Sequence, residues 1–295
     1  MDQTTNNFSS NGHNKVLLAV LAHPDDESFG MGGTLAFYAR LGVEVHLVCA
    51  TRGEAGMVAP EDMKGFASIA DLRVSELRCA AGKLGLTGVH YLDYRDSGMP
   101  GSPDNQHPDA QIAHPLDEVA AAVTHYIRKL RPQVVITFDP IGGYRHPDHI
   151  HIQQATVKAF HAAGDPNLYP DPEGLPPYQP KKLYFQTISR GFLRLIVRLL
   201  PLFGRDPRRW GRNGDIDLIS LAIEDFPTHA EVDFSSVATI RAEAAACHAS
   251  QGGVGMSRGF QGWLLNVYRK KEMYMRAYPE PRPGERREKD LFIGT

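Results

Sequence analysis

The stretch LLAVLAHPDDESFG (17–30) decides how the chain is read. Leu17 to Ala22 is unbroken apolar sequence, and it gives way at once to His23, Pro24, Asp25, Asp26 and Glu27. An uninterrupted apolar run marks a strand of a parallel sheet, buried under helices on both faces. In open sheets of that kind, ligands bind at the carboxyl ends of the strands. The charged cluster stands at such an end.

The pattern recurs outward from this stretch. KVLLAVLA (15–22), VEVHLVCAT (43–51), VHYLDY (89–94) and PQVVITFD (132–139) read as strands, with helices between them over 31–41, 66–85 and 115–130. Gly85 stands where the second of these helices should stop. Strands alternating with helices predict an α/β fold, a Rossmann-like, mostly parallel sheet flanked by helices. A Pro- and Gly-rich stretch (164–180) interrupts the alternation. Beyond it, KLYFQTIS (182–189) and DLISLAIE (217–224) read as strands, and 235–250 and 258–276 as helices. The expected organisation is a flexible tail (1–14), then a single domain over 15–279 with an appended C-terminal α/β portion. Its core is 15–163, its C-terminal portion 181–279, and a polar, exposed tail (280–295) follows.

Composition narrows the function. The chain of 295 residues is 42% hydrophobic and 22% charged, as ordinary globular proteins are, with a formal charge of -2. That balance builds no field for nucleic acid. No run reaches the roughly 18 apolar residues of a membrane span, so no stable membrane insertion is expected. FLRLIVRLLPLFG (192–204) carries two arginines and a proline, and suits an amphipathic surface helix or a lid, with membrane contact the minor alternative. Cys49, Cys79 and Cys247 are odd in number and unpatterned. They point to a reducing compartment and against a disulfide framework or a cysteine zinc site. The N-terminus has no apolar core flanked by basic residues, so a cytoplasmic location is expected.

A second cluster gives the first its meaning. TFDPIGGYRHPDHIHIQQA (137–155) follows the fourth strand, so a second His-Pro-Asp lies on the same rim of the sheet. Hydrolytic zinc sites take three nitrogen or oxygen ligands and leave a position for water. His23 supplies a nitrogen, one of Asp25 and Asp26 an oxygen, and His149 completes a set of two histidines and one carboxylate. The spare carboxylate then stands beside the water as a general base. His146, Asp148 and Tyr144 are left for other duties. Two histidines and a carboxylate suit Zn²⁺ and also Fe²⁺.

The sequence resembles the LmbE-like (PIG-L) metal-dependent N-deacetylases. The resemblance is carried by AHPDDE (22–27), TRGEAG (51–56), LRVSELRCAAGKLG (72–85), YRDSGMPG (94–101) and GGYRHPDH (142–149), with CHASQ (247–251) a weaker element. DSGM and R-x-x-E-L look most like the mycothiol and bacillithiol branch, which includes N-acetylglucosaminyl inositol deacetylases and mycothiol-conjugate amidases. The resemblance implies His23, Asp26 and His149 as zinc ligands and Asp25 as general base. It implies His146 as the group that stabilises the oxyanion and helps the amine leave. Asp148 becomes a carboxylate that tunes a histidine, expected to hold His146 protonated, and Tyr144 a mobile residue near the scissile carbonyl. Arg73 and Asp96 match positions that hold sugar or inositol hydroxyls. Arg145 departs from the pattern, standing where many relatives carry glycine, which bears on substrate access.

The expected function is therefore a zinc hydrolase removing acetyl from an N-acetylglucosamine-type amide, acting on a small-molecule amino sugar. An amidase of larger thiol conjugates uses the same site and differs only in pocket shape. A non-catalytic metal- or sugar-binding protein leaves Asp25 and His146 without a task. A homo-oligomer is compatible with the sequence, which carries no signal for it. His107 and His114 precede prolines in a loop and read as turn and cap residues. His248, inside CHASQ, reads equally as pocket lining or helix packing.

Overall fold

The computed structural model describes residues 15–188, 190–210, 214, 216–254 and 270–295. The expected tail (1–14) and residues 258–269 of the expected last helix lie outside them. The described strands form one sheet in the order β3-β2-β1-β4-β5-β7-β6. They are β1 (Val16–Leu21), β2 (Glu44–Thr51), β3 (Gly88–Tyr94), β4 (Val134–Phe138), β5 (Lys182–Thr187), β6 (Ala230–Asp233) and β7 (Lys271–Tyr278). β1 to β5 run parallel, and β7 lies antiparallel to both β5 and β6.

The helices are α1 (Asp26–Gly30), α2 (Gly32–Arg40), α3 (Ile69–Leu84), α4 (Leu116–Leu130), the single turn α5 (Gly142–Arg145), α6 (Pro147–Ala162), α7 (Arg190–Leu199), α8 (Leu218–Leu221) and α9 (Ala238–Cys247). α4 packs beside α6, while α2 and α3 pack against α9. Every residue of β1 is buried, as its unbroken apolar run requires. Helix ends follow the local chemistry. The Ser68 hydroxyl accepts the Asp71 N–H at the start of α3, and Gly85 ends that helix at φ 77°.

Strand order places the site. The sequence returns from β3 to the other side of β1, so β1 and β4 are neighbours at the topological switch point. Their pairing stops at Ala19↔Ile136 although both strands run on, and their carboxyl ends open into a crevice.

Four expectations are corrected. Residues 217–224, read as a strand, hold α8, because the Asp217 carboxylate accepts the Ile219 and Ser220 N–H groups and starts a helix. Residues 271–276, read as helix, belong to β7. The C-terminal segment, read as exposed, lies against the sheet. Glu288 is buried with Lys182 (2.6 Å) and Arg276 (2.7 Å), and Leu291 and Phe292 join the core. Finally, Cys79 of α3 and Cys247 of α9 form a disulfide, against the expectation of reduced thiols. They stand 168 residues apart and meet only because α3 and α9 pack together, so spacing carried no signal of the pair. Cys49 is a free, buried thiol.

Candidate active site

Three side chains converge in the crevice. His23 Nδ1 lies 3.1 Å from His149 Nε2, which is 3.3 Å from Asp26 Oδ1, and His23 Nδ1 is 3.7 Å from Asp26 Oδ2. Ligand bonds of about 2.0–2.1 Å at tetrahedral angles put donor atoms ~3.3 Å apart. The two imidazole nitrogens match that spacing, and Asp26 offers Oδ1 to one and Oδ2 to the other. His146 gathers with His23 and His149 closely enough for one ion, so the cluster can hold a small divalent cation. The electrostatics agree. Burial and the adjacent Asp25 push the Asp26 carboxyl up to about 7, a cost that a bound cation removes.

The other side of each imidazole has its own partner. His23 Nε2 faces Asp148 Oδ2 at 3.1 Å and Asp96 Oδ1 at 3.3 Å and carries hydrogen. Burial alone would lower the imidazole pKa, yet these carboxylates hold it well above its usual value, so a cation binding at Nδ1 would displace a proton there. His149 Nδ1 meets the Gly142 carbonyl at 3.2 Å, which frees Nε2. Gly142 has φ 66°, and a Cβ there would stand 2.8 Å from His149 Cβ. Only glycine lets that carbonyl approach. The His23 backbone N–H donates to Asp26 Oδ2 at 2.8 Å and orients the carboxylate.

Asp25 differs from the other carboxylates around it. Its side chain is 17% exposed, against 7% for Asp26, 5% for Asp96 and 0% for Asp148. Burial raises its carboxyl above the usual range while Arg73, 2.9 Å away, pulls it back. Its φ of 127° is an uncommon conformation for an L-residue with a side chain, costing on the order of 1–3 kcal/mol. That backbone is held on its N–H, which donates to Glu27 Oε2 at 3.0 Å. Glu27 Oε1 meets His248 Nε2 at 2.7 Å, and both side chains are fully buried. Burial alone would raise the Glu27 carboxyl, yet His248 holds it below its usual value.

The second motif is arranged differently. The His146 ring starts α6, with Nδ1 accepting the Asp148 N–H at 3.2 Å. Burial, reinforced by His23, lowers the His146 pKa to about 3. The ring is therefore neutral near pH 7 and bears its hydrogen on Nε2. Asp148 is tied to His23 and to the Ser97 N–H and hydroxyl, not to His146. The expectation that it keeps His146 protonated is overturned; the histidine it faces is His23. The Tyr144 hydroxyl lies 3.5 Å from His149 Nε2, at the edge of the donor set. Arg73 is buried, donating to the Pro24 and Gly53 carbonyls as well as to Asp25, while Asp96 accepts the Gly98 N–H beneath His23.

Comparisons with known proteins follow this geometry. The family described as PIG-L, GlcNAc-PI de-N-acetylase, matches residues 18–160. A 1D-myo-inositol 2-acetamido-2-deoxy-alpha-D-glucopyranoside deacetylase of Streptomyces avermitilis is 35% identical over 296 residues, covering 95% of this chain and 97% of its own. The chain belongs to the PIG-L family. The PIG-L fold is seen also in N,N'-diacetylchitobiose deacetylase from Pyrococcus horikoshii (TM-score 0.61, 23% identity, 89% of this chain and 83% of that one). It is seen again in GalB, the 4-carboxy-2-hydroxymuconate hydratase from Pseudomonas putida (TM-score 0.58, 18% identity, 92% and 99%). A deacetylase and a hydratase on one backbone mean that the side chains, not the fold, decide the chemistry.

Within this PIG-L chain, Arg145 has φ 68°, which explains why glycine suits that position. Its side chain is 2.6 Å from Glu224 at the surface, so it ties the Tyr144 turn to the segment after α8. His107 and His114 do serve a turn and a helix start, His107 Nδ1 accepting the Asp109 N–H and His114 facing Glu118. Sequence reasoning gave Glu27 and Ser97 no role and left His248 between pocket lining and helix packing; it is buried against Glu27. Glu27 is the last letter of AHPDDE and His248 the second of CHASQ, so the available signal was that each motif holds a residue without an assigned task.

Proposed function

We propose that this chain is a metal-dependent N-deacetylase that hydrolyses the acetamide of an N-acetylglucosamine-type substrate. The observation that carries the reading is the convergence of His23 Nδ1, His149 Nε2 and Asp26 beside the one partly open carboxylate, Asp25. The 35% identity to an N-acetylglucosaminyl-inositol deacetylase along almost the whole chain supports the substrate class. His23, Asp26 and His149 would hold the ion, and zinc is the metal we assign.

A divalent cation there polarises the acetyl carbonyl and makes water acidic enough to attack at neutral pH. Asp25 takes the attacking water's proton, and its raised pKa makes it the stronger base for that task. Neutral His146 donates its Nε2 hydrogen to the developing oxyanion, with the Tyr144 hydroxyl as a second donor. Asp25 then returns its proton to the departing amine. Arg73, 4% exposed and bonded to Asp25, keeps that carboxylate aimed, and Asp96, 5% exposed beneath His23, orients the imidazole. Both support the site from behind instead of reaching sugar hydroxyls as the resemblance implied.

The test is amine release from N-acetylglucosaminyl inositol, N,N'-diacetylchitobiose and a thiol conjugate, with enzyme stripped of metal and then reconstituted. Activity should vanish on chelation, return with Zn²⁺ and favour an N-acetylglucosamine substrate. Activity indifferent to chelation refutes the hydrolase reading, and preference for the thiol conjugate refutes the substrate assignment.

A further inference from the structure

One face of the molecule takes no part in this chemistry. Residues 190–215 hold seven arginines and two aspartates, in a chain whose net charge is -2. α7 runs on into a 3-10 turn, Leu200–Phe203. Its inner side is satisfied: Leu193 and Leu200 form a small core with Leu218, Leu221 and Ala222, packed against Ile141 and Tyr144. Its outer side is not. Leu195, Leu199 and Leu202 recur at i, i+4 and i+7 and share a face, with Phe203 beside them. They are 53%, 38%, 77% and 74% exposed, and Ile223 from the end of α8 is 73% exposed. Arg194 and Arg198 run alongside this stripe, with Arg205, Arg208 and Arg209 beyond it, all exposed. No acidic side chain among the described residues is recorded within ion-pair distance of these five arginines.

We propose that this face is a reversible docking surface for an anionic lipid bilayer. Protruding leucine and phenylalanine flanked by arginines is the pattern that settles into the boundary between headgroups and acyl chains. The arginine stems lie along apolar material while their heads reach phosphates. At ten residues α7 is far too short to span a bilayer, so it lies in the plane. Charge decides against a second copy of this chain. A twofold contact sets the same patch against itself and brings like arginine rows together. An anionic lipid surface instead neutralises all of them at once. With the positive charge gathered here and the chain's net charge negative, the molecule's field turns this face toward such a surface. Docking there also brings the Tyr144 turn, and with it the crevice rim, close to the membrane.

The experiment is co-sedimentation of the full chain with vesicles of phosphatidylcholine alone and of phosphatidylcholine mixed with phosphatidylglycerol. The mixed vesicles should bind and the neutral ones should not. Binding should weaken steeply at about 1 M salt, where the screening length falls to ~3 Å. Arg194→Ala with Arg198→Ala should lower the partition coefficient about 25-fold, at about fivefold per arginine. Leu202→Ser with Phe203→Ser should lower it more than ~10-fold, and amine release from a soluble substrate should not change. The proposal is overturned by binding that ignores lipid charge, or by binding that survives both pairs of substitutions. It is overturned equally by no binding at all. Concentration-dependent dimers abolished by Leu202→Ser with Phe203→Ser would make the face a contact between copies instead.

Discussion

The chain uses His-Pro-Asp twice at the rim of one sheet, and the two copies do opposite work. In residues 23–25 the histidine offers its nitrogen to the donor cluster and the aspartate stays partly open. In residues 146–148 the histidine starts a helix with Nδ1 and keeps only its Nε2 hydrogen to offer, and the aspartate is fully buried against His23. Backbone explains the difference. His146 sits at φ -64°, ψ 132°, an ordinary extended start to a helix of sixteen residues, with Pro147 in its first turn. Asp25 sits at φ 127° before a helix of only five residues and makes no side-chain cap. A strained turn keeps its carboxylate available for chemistry; a relaxed one uses its side chains to build the site's wall. The same three letters acquire their roles from the turn that holds them.

Substitutions across the two turns test that contrast. His149→Ala should remove the metal and abolish amine release, whereas Asp25→Asn should keep the metal and lose about 10²–10⁴ in kcat. Metal content by emission spectrometry beside turnover separates them, and loss of metal in Asp25→Asn would break the contrast. Asp148→Asn should cost less, about 10–100-fold, and should show as weaker metal binding, because its contact is with His23. An unchanged metal affinity with a shifted pH profile would instead return Asp148 to His146. The smallest effect belongs to a region that supports neither turn. Glu231 on β6 is held by Lys289, Lys271 and Arg287, which keep its carboxyl down at about 2. A carboxylate depressed in the fold stabilises above its unfolded pKa of about 4.3 and loses that contribution as pH falls through the folded value. Glu231→Gln should therefore lower the urea midpoint at pH 7, and the gap to the parent should close between about pH 4 and 2. A gap independent of pH would mean that packing, not charge, sets its worth.

Legibility followed burial. β1, β2 and β4 were readable because their apolar runs face helices on both sides, and the site was readable because two motifs end adjacent strands. β7 was not, since its inward residues are Glu272, Tyr274 and Arg276. Glu272 is buried because it accepts the Gly33 and Thr34 N–H groups at the start of α2, and Arg276 because it pairs with Glu285 and Glu288. Hydrophobic periodicity fails where a strand's buried face is charged and its partners are distant in sequence. The charge state of His146 was equally out of reach. It depends on burial of the ring and on the nearness of His23, neither of which a motif records.

The bond between Cys79 and Cys247 closes the polypeptide into a covalent loop with two free arms. His146, Asp148 and His149 are threaded on the loop, while His23, Asp25 and Asp26 ride on the amino-terminal arm. The donor cluster is thus also a clasp between arm and loop, joined by no covalent link of its own. With the cross-link intact, β3 to β6 stay within the closed loop, whereas β1, β2 and two of the three ligands sit on an arm that only packing and pairing retain.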